Sequence, residues 1–369
     1  MRHARRGGSA AVVPPPRRLP PVMAGRLPAP GAARGRWVLE RAVARPSLPA
    51  LVALGLVLVL FALQAHELLS ARGLAGVLDV AATLGIGGVA VALLLIAGQF
   101  DLSVGVLAIS SAAGTALLVE HAGWGIWPAL LASLAGALLV GVVNGVLVVN
   151  TGLPSFLVTL ATFLVLQGTT LAGVRAIAGS GRIAGLSDAP GWSSAEALFG
   201  ATAQLGDGRF RVSLLWWLGV TAVATWVLWR TKFGNAVFAS GGARTAAREL
   251  GVPVRRTTVA LFCLSATAGW LIGTLGLVRF GSVQVGTAGL GSSIDFIVVA
   301  VLGGCLLAGG YGSALGASIG ALLYAVTRQG ITLAGWDPPW FQALLGVLLV
   351  VALVANAVVG HRLKGVPRS

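Results

Sequence analysis

The chain has 369 residues, of which 56% are hydrophobic and 10% are charged, and its mean hydropathy is +0.90. Soluble domains carry roughly 25% charged residues, so this composition excludes an ordinary soluble domain and predicts a polytopic membrane protein. The net charge of +15 does not indicate nucleic-acid binding, because ten of the 26 Lys and Arg residues lie in residues 1–45 and most others lie near the ends of apolar runs.

Residues 1–36 are rich in Arg, Pro, Gly and Ala and show no apolar periodicity, and the predicted N-terminal tail extends to residue 45. A segment of this composition cannot bury a core, so we predict a disordered, basic cytoplasmic tail. Residues 46–360 are expected to form the transmembrane domain, and residues 361–369 a second cytoplasmic tail.

The apolar runs predict an all-α fold, a polytopic transmembrane helical bundle of about ten spans. Because cytoplasmic segments carry an excess of Lys and Arg, the basic head and tail belong on one side, which requires an even number of spans and both termini in the cytoplasm. The longest outer connection is then 174–212. The predicted spans are 48–66, 75–97, 102–119, 127–149, 155–173, 213–230, 257–277, 293–308, 312–333 and 340–359.

A polar string lies between the second and third spans. It reads Gly98-Gln99-Phe100-Asp101-Leu102-Ser103-Val104-Gly105. Asp101 or Ser103 can cap the third helix, and a carboxylate at a helix start also meets the positive end of the helix dipole. The alternative is that Asp101 contacts a transported substrate.

Polar side chains also lie inside the fourth and fifth spans. Asn144, Thr159, Gln167 and Thr170 are costly in hydrocarbon, so we expect them to face the bundle interior. They either line a path for a neutral polar solute or form hydrogen bonds between helices. Asn144, Thr159 and Gln167, with Phe156 at the start of the fifth span, are the candidate translocation path.

The inner loop 230–256 is a cationic break between two apolar runs. Its alanines and Leu250 favour a short helix, and Gly251 stands where a helix often ends with a left-handed residue. Such a loop either simply connects two spans or presents a helix to a soluble partner.

Several strings in this order resemble motifs of the membrane-spanning permeases of ribose/xylose-type ABC sugar importers. The 98–105 string departs from the family pattern at Gln99, where the family has glycine, and at Phe100, where it has isoleucine. The other matching strings are Gly141-Val-Val-Asn144-Gly145, Pro154-Ser155-Phe156-Leu157-Val158-Thr159-Leu160, Ala246-Ala247-Arg248-Glu249-Leu250-Gly251-Val252-Pro253-Val254, Asp295 to Gly304, and Gly309-Gly310-Tyr311-Gly312.

The resemblance implies a permease subunit that forms the path for a monosaccharide delivered by a substrate-binding protein. It further implies a homodimer in the lipid of a prokaryotic plasma membrane and a separate ABC ATPase that binds ATP-Mg. The chain lacks a phosphate-binding loop, so we expect it to bind no cofactor itself. The implied ATPase-coupling residues are Arg244, Ala247, Arg248, Glu249, Leu250 and Gly251, and the implied structural motif residues are Asp101, Ser103, Gly105, Asp295, Gly309 and Gly310.

Two other classes of membrane protein fit this sequence less well. An ion-coupled secondary transporter usually places ionisable groups near the bilayer midplane, whereas Asp79, Asp101 and Asp295 lie near predicted span ends. A membrane-embedded enzyme needs clustered acids or histidines, but the four histidines are scattered and no catalytic or metal-ligand spacing is present. We therefore expect no catalytic residues and no metal site.

Overall fold

The structure, a computed structural model, describes residues 47–286 and 289–364. The predicted N-terminal tail, 1–45, lies outside these ranges. Of the predicted C-terminal tail, residues 361–364 continue the last helix and residues 365–369 lie outside the described part.

Within these ranges the chain is predominantly helical, which confirms the all-α class. Two small antiparallel strand pairs, β1 with β4 and β2 with β3, are the β-structure of the described part. The helices are α1 Leu48–Gln64, α2 Ala71–Ile96, α3 Val104–Glu120, α4 Ile126–Thr151, α5 Ser155–Ala178, α6 Trp192–Ala195, α7 Ser213–Arg230, α8 Lys232–Gly242, α9 Arg244–Glu249, α10 Val254–Phe280, α11 Gly289–Leu302, α12 Ala314–Leu333 and α13 Pro339–Lys364. The strands are β1 Arg182–Ala184, β2 Thr202–Leu205, β3 Gly208–Arg211 and β4 Ser282–Gln284.

A helix occupies each of the ten predicted spans. Five of these helices, α2, α4, α5, α10 and α13, are long and apolar enough to cross a membrane, and α1, α3 and most of α11 are shorter apolar helices. The predicted span 293–308 is wrong at its C-terminal end, because α11 ends at Leu302. Gly304, Gly309 and Gly310 have φ of 93°, 83° and 77°, and these left-handed residues fold the chain into a turn.

Helices α2 and α10 form the centre of the bundle. In α2 the most apolar window is 83% buried, because α7, α10, α11 and α12 all contact it. The corresponding windows of α5 and α13 are only 22% and 6% buried. No described residue covers the exposed apolar faces of α5 and α13, and such faces are suited to contact with a membrane or another chain.

The two ends of α2 identify the two ends of the bundle. At its first residue, a Cβ on Gly208 of the β2–β3 hairpin would stand 2.4 Å from the Ala71 carbonyl oxygen. At its last residue, the Ile96 carbonyl accepts a hydrogen bond from Gly310 N. A helix of 26 residues is about 39 Å long. We call these the hairpin end and the loop end.

The connection 174–212 is folded onto the hairpin end. It contains β1, α6 and the β2–β3 hairpin, and Phe199 lies among the rings of Trp127, Trp216 and Trp270. Aromatic packing of this kind fixes the connection to α4, α7 and α10.

The loop 230–256 contains more helix than the sequence predicted. Its first half is the 11-residue helix α8, which begins at the Thr231 cap, where the side chain accepts from Gly234 N. The predicted short helix is α9, which follows directly.

Candidate functional site

The turn 97–103, between α2 and α3, is where the predicted polar residues converge. Helix α2 ends in a Schellman motif: Gly98 N bonds to Leu95 O and Gln99 N bonds to Leu94 O, with Gly98 at φ 70°. This arrangement stops α2 abruptly and brings Asp101 to the start of α3.

The Asp101 carboxylate is buried and fully hydrogen-bonded. Its Oδ1 accepts from Ser103 N at 2.7 Å and from Ser103 Oγ at 2.6 Å, and its Oδ2 accepts from Ser265 Oγ at 2.7 Å. Of the two predicted capping residues, Asp101 therefore satisfies the backbone at the start of α3, while the Ser103 side chain makes no cap bond.

A directed chain of hydrogen bonds leads from α5 to this carboxylate. Thr162 Oγ1 donates to Asn144 Oδ1 at 2.6 Å, Asn144 Nδ2 donates to Ser103 Oγ at 3.1 Å, and Ser103 donates to Asp101. Asn144 is only 1% exposed. In low dielectric such a chain is cooperative, so Asn144 fixes the turn between helices.

Three further hydroxyls bind the backbone around the turn. Ser155 Oγ accepts from Phe100 N at 2.9 Å, and Thr159 Oγ1 accepts from Leu102 N at 3.1 Å. Ser293 Oγ of α11 donates to Leu102 O at 2.7 Å and accepts from Gly105 N at 3.0 Å. The turn is thus held by α4, α5, α10 and α11 together.

Phe156 and Gln167 are not part of this network. Phe156 is 46% exposed on α5, and Gln167 is half-buried on the same helix. Thr170 shares a 2.8 Å hydrogen bond with Ser110 of α3. Of the predicted polar set, Asn144, Thr159 and Thr170 form hydrogen bonds to other parts of the bundle.

The motif residues Gly105 and Asp295 serve packing in different places. A Cβ on Gly105 would stand 2.3 Å from the Gly289 carbonyl oxygen, so glycine is needed where α3 meets α11. Asp295 is half-buried on α11 and bonds to the Tyr324 phenol of α12. Asp295 therefore links two neighbouring helices.

Backbones from three turns meet at the loop end, and we call this contact the glycine junction (Gly98, Gly241, Gly242, Gly309, Gly310). A Cβ on Gly241 would stand 1.9 Å from Ile96 O. A Cβ on Gly309 would stand 2.9 Å from the Cα of Gly98, and a Cβ on Gly310 would stand 2.8 Å from the Cα of Gly242. The end of α8 therefore touches both the turn after α2 and the turn after α11.

The predicted coupling residues lie on helix α9 and on the two residues that follow it, where the helix ends in a regular motif. Gly251 has φ 78°, as predicted, and Gly251 N bonds to Arg248 O while Val252 N bonds to Ala247 O. These are the two bonds of a Schellman motif. The Ala247 side chain is buried against the chain itself, whereas Arg248, Glu249 and Leu250 are exposed, Leu250 to 83%.

Arg244, at the start of α9, is partly buried. Burial, and then the nearby charge of Arg248, lower the pKa of the Arg244 guanidinium below its ordinary value. Its Nε atom is buried without a hydrogen-bond partner. The Arg244 side chain is therefore partly enclosed by the chain itself and is not a fully exposed cation.

Sequence reasoning missed several members of this site. Thr162, Ser265, Ser293 and Gly241 were not selected, and Ser155 was noticed only as part of a matching string. Hydroxyls within apolar runs are a signal of the kind that marked Asn144, but many such hydroxyls satisfy their own helix and bind nothing else.

The fold and the site define a class first: a multi-pass membrane protein whose polar network is built between helices and whose loop end offers a short exposed helix. Similarity to known proteins identifies the family. The family described as "Branched-chain amino acid transport system / permease component" matches residues 73–353, and the chain belongs to it. It is therefore a transport subunit, and membership of this family favours an ATP-driven permease over an ion-coupled carrier.

The relatives support the resemblance to sugar importer permeases. The chain is 31% identical over 317 residues to the fructose import permease protein FrcC of Rhizobium meliloti, covering 84% of this chain and 85% of the relative. It is 27% identical over 325 residues to the ribose import permease protein RbsC of Escherichia coli strain K12, covering 87% and 94%. It is 32% identical over 313 residues to the probable ABC transporter permease protein YphD of the same strain, covering 85% and 90%. No solved structure matches the chain.

Proposed function

We propose that the chain is the permease subunit of an ABC importer for a monosaccharide. A substrate-binding protein delivers the sugar, and a separate ATPase chain binds ATP-Mg and supplies the energy. The observation that carries this proposal is the glycine junction, because it joins the end of α8, which leads into the exposed residues of α9, to the turns after α2 and α11.

The sugar assignment rests on the names of the relatives. FrcC, RbsC and the galactose/methyl galactoside import permease protein MglC of Haemophilus influenzae are named for fructose, ribose and galactose.

Coupling to the ATPase is proposed to act through α9. Arg248, Glu249 and Leu250 offer an exposed surface to a docking partner. Ala247 anchors α9 to its own chain. A displacement of α9 passes through α8 to the glycine junction, and from there to the turn that contains Asp101.

The translocation path is proposed to run along α5, between two copies of the chain in the lipid bilayer. Phe156 and Gln167 are accessible on this mostly exposed helix. The buried side of the helix is held by the hydrogen bonds that Asn144 and Thr159 make to the turn 97–103. Replacing Gln167 with leucine should then lower sugar uptake while leaving ATPase association unchanged.

We propose ten spans in a prokaryotic plasma membrane, with both termini and the loop end in the cytoplasm. Single cysteines at Ser193 and Leu250, both exposed, test this in a chain with Cys263→Ala and Cys305→Ala. An impermeant thiol reagent should label Ser193→Cys in intact cells and leave Leu250→Cys unlabelled. The reverse pattern contradicts the orientation.

Reconstitution decides the function. The chain is placed in proteoliposomes with a candidate ABC ATPase and a candidate substrate-binding protein of the same organism, and uptake of labelled fructose, ribose, galactose and xylose is measured. Uptake should require ATP, the ATPase and the binding protein. Uptake by the chain alone, driven by a proton or sodium gradient, would instead establish the ion-coupled carrier.

A further inference from the structure

An apolar groove runs along α7, and neither the network around Asp101 nor the glycine junction uses it. Its volume is about 640 Å³, and its walls come mainly from α7, α2 and α10. The α7 side chains that line it recur at helical spacing, so they form one face of that helix. They are Leu215, Trp216, Gly219, Val220, Val223 and Val227. Because Leu215 and Val223 are exposed, the groove is open along its side.

The polar side chains of the lining are already satisfied within the chain. Trp216 Nε1 donates to Leu198 O at 3.0 Å, and Thr267 Oγ1 donates to Cys263 O at 2.9 Å. The other lining side chains are apolar. A polar group placed along the groove would stay unpaired, at a cost in free energy, so the groove favours a hydrocarbon occupant.

The dimensions of the groove match a single hydrocarbon chain. Its lining extends from Val212 to Val227, which is about 22 Å of helix. A volume of about 640 Å³ over this length corresponds to a mean width of about 6 Å. An α-helix with its side chains is about 10–12 Å wide, so the groove is too narrow to enclose one. A single file of carbon atoms needs only about 4 Å at van der Waals separation.

Gly219 keeps the middle of the groove open. A Cβ at this position would meet no atom within 4 Å, so no neighbouring residue requires a glycine here. Glycine is also among the least favourable residues in the interior of a helix. The space that Gly219 leaves therefore belongs to the groove and not to packing within the chain.

The two ends of the groove differ in charge. Arg230 lies seven residues after Val223, on the same face of α7, and Lys232 follows at the start of α8. Both cations are exposed, and neither forms an ion pair within the described residues. The opposite end is bounded by Trp216, whose ring stacks on Phe199. The groove is thus apolar along its length and positively charged at the loop end.

We propose that the groove binds one acyl chain of an anionic phospholipid from the leaflet at the loop end, with the lipid phosphate at Arg230 and Lys232. The apolar lining stabilises the chain through burial of its CH₂ groups. Guanidinium and ammonium groups form charge-assisted hydrogen bonds with phosphate, and basic residues at a membrane surface favour anionic lipids. Because α7 leads directly into α8, the lipid lies beside the segment that reaches the glycine junction.

The first test measures lipid binding to the full chain purified in mild detergent. Native mass spectrometry is recorded with added dioleoylphosphatidylglycerol or dioleoylphosphatidylcholine. One tightly held lipid per chain is expected, with phosphatidylglycerol held about fivefold more tightly. R230Q/K232Q should abolish this preference. The absence of a retained lipid, or the same preference in R230Q/K232Q as in the unmodified chain, overturns the inference.

Gly219→Phe tests the groove itself, because its ring would occupy the space of the acyl chain without touching the rest of the protein. It should weaken retention of phosphatidylglycerol about tenfold. Gly136→Phe is the matched control, since Gly136 is an exposed glycine of α4 whose Cβ would also meet no atom within 4 Å, and it does not line the groove. This control should bind lipid as the unmodified chain does. Equal retention by the two variants overturns the inference.

A second measurement locates the lipid in the unmodified chain and does not depend on whether Gly219→Phe accumulates. Phosphatidylglycerol with a photoreactive diazirine in one acyl chain is irradiated with the purified protein, and the labelled peptides are identified. Labelling should concentrate on residues 215–227. Even labelling of α5, α7 and α13 overturns the inference, because the lipid would then cover all exposed helices alike.

The same mass spectra test a second copy of the chain as the occupant. If Gly219→Phe converts a dimer into monomers and leaves lipid retention unchanged, the groove is an interface between copies and the inference is overturned. These measurements use neither sugar nor ATPase, so their outcome leaves the proposed function untouched.

Discussion

The two ends of α2 are fixed by different kinds of contact. At the loop end, backbone meets backbone through glycines, with Gly241 and Ile96 O at the closest point. At the hairpin end, long charged side chains meet around Asp79. Close contacts between backbones transmit small displacements, because the atoms have no free space in which to move. Ion pairs between partly exposed side chains rearrange at low energetic cost. The contact at the loop end is thus the stiffer of the two, and the contact at the hairpin end is the more adaptable.

The largest effect is expected from Gly241→Ala. The new methyl group would lie 1.9 Å from Ile96 O, where only backbone atoms could move to make room. We expect loss of uptake and a destabilisation above about 3 kcal/mol. Gly242→Ala is the matched control, because its Cβ has Gly310 Cα at 4.0 Å as its nearest atom. Thermal unfolding in detergent and labelled-sugar uptake measure both. Equal behaviour of the two variants would show that the junction is not a rigid contact.

Asp101→Ala is expected to have the next largest effect. It leaves the Ser265 hydroxyl and the Ser103 N–H buried without their acceptor, at a cost of about 1–3 kcal/mol each. Asp101→Asn keeps an acceptor for Ser103, and Ser265 can instead accept from the new amide, so the loss should be smaller. Unfolding of purified protein ranks the two. If Asp101→Ala is as stable as the unmodified chain but abolishes uptake, Asp101 contacts the substrate and does not fix the turn.

Gly251→Val should abolish uptake with a smaller loss of stability. A left-handed backbone costs a non-glycine residue about 1–2 kcal/mol and a β-branched one more, yet a Cβ here meets no atom within 4 Å. The strain is relieved by disordering the end of α9, so the protein should insert at normal levels while ATPase co-purification falls.

Two companion variants sharpen this test. Gly251→Asn should retain much of the uptake, because asparagine tolerates the left-handed region. Glu249→Ala should weaken uptake only slightly, since Glu249 is exposed and has no ion pair within the described residues. Full uptake and full ATPase association in Gly251→Val would show that the loop 230–256 only connects two spans and does not couple them to the ATPase.

The smallest effect is expected at the hairpin end. Asp79→Asn removes the attraction to Arg211 and Arg279, whose side chains are 30% and 31% exposed, so stability should fall by only about 0–1 kcal/mol. The fall should diminish further in high salt. Melting curves at low and high ionic strength measure it. A loss of stability as large as that expected for Gly241→Ala would show that the contacts at the two ends of α2 are equally rigid.

The sequence by itself determined the elements that depend on local pattern. Apolar run length located ten helices, because span length is set by the bilayer. Gly251 was identified as a left-handed residue because an alanine-rich stretch ends before it and Pro253 follows. Asp101 was identified as one of two possible caps because capping depends on residues only a few positions away. The end of α11 was misplaced because the apolar run 293–308 continues across glycines that turn the chain.

Only the tertiary structure decided which distant groups meet. Ser265 and Ser293 reach the turn 97–103 across 164 and 191 residues, and nothing in their neighbouring residues separates them from hydroxyls that bond to their own helix. Gly241 has the sequence context of an ordinary loop residue, and only the fold places it against Ile96 O. Such pairings depend on how helices cross and on which faces they bury, and a local sequence pattern does not record either property.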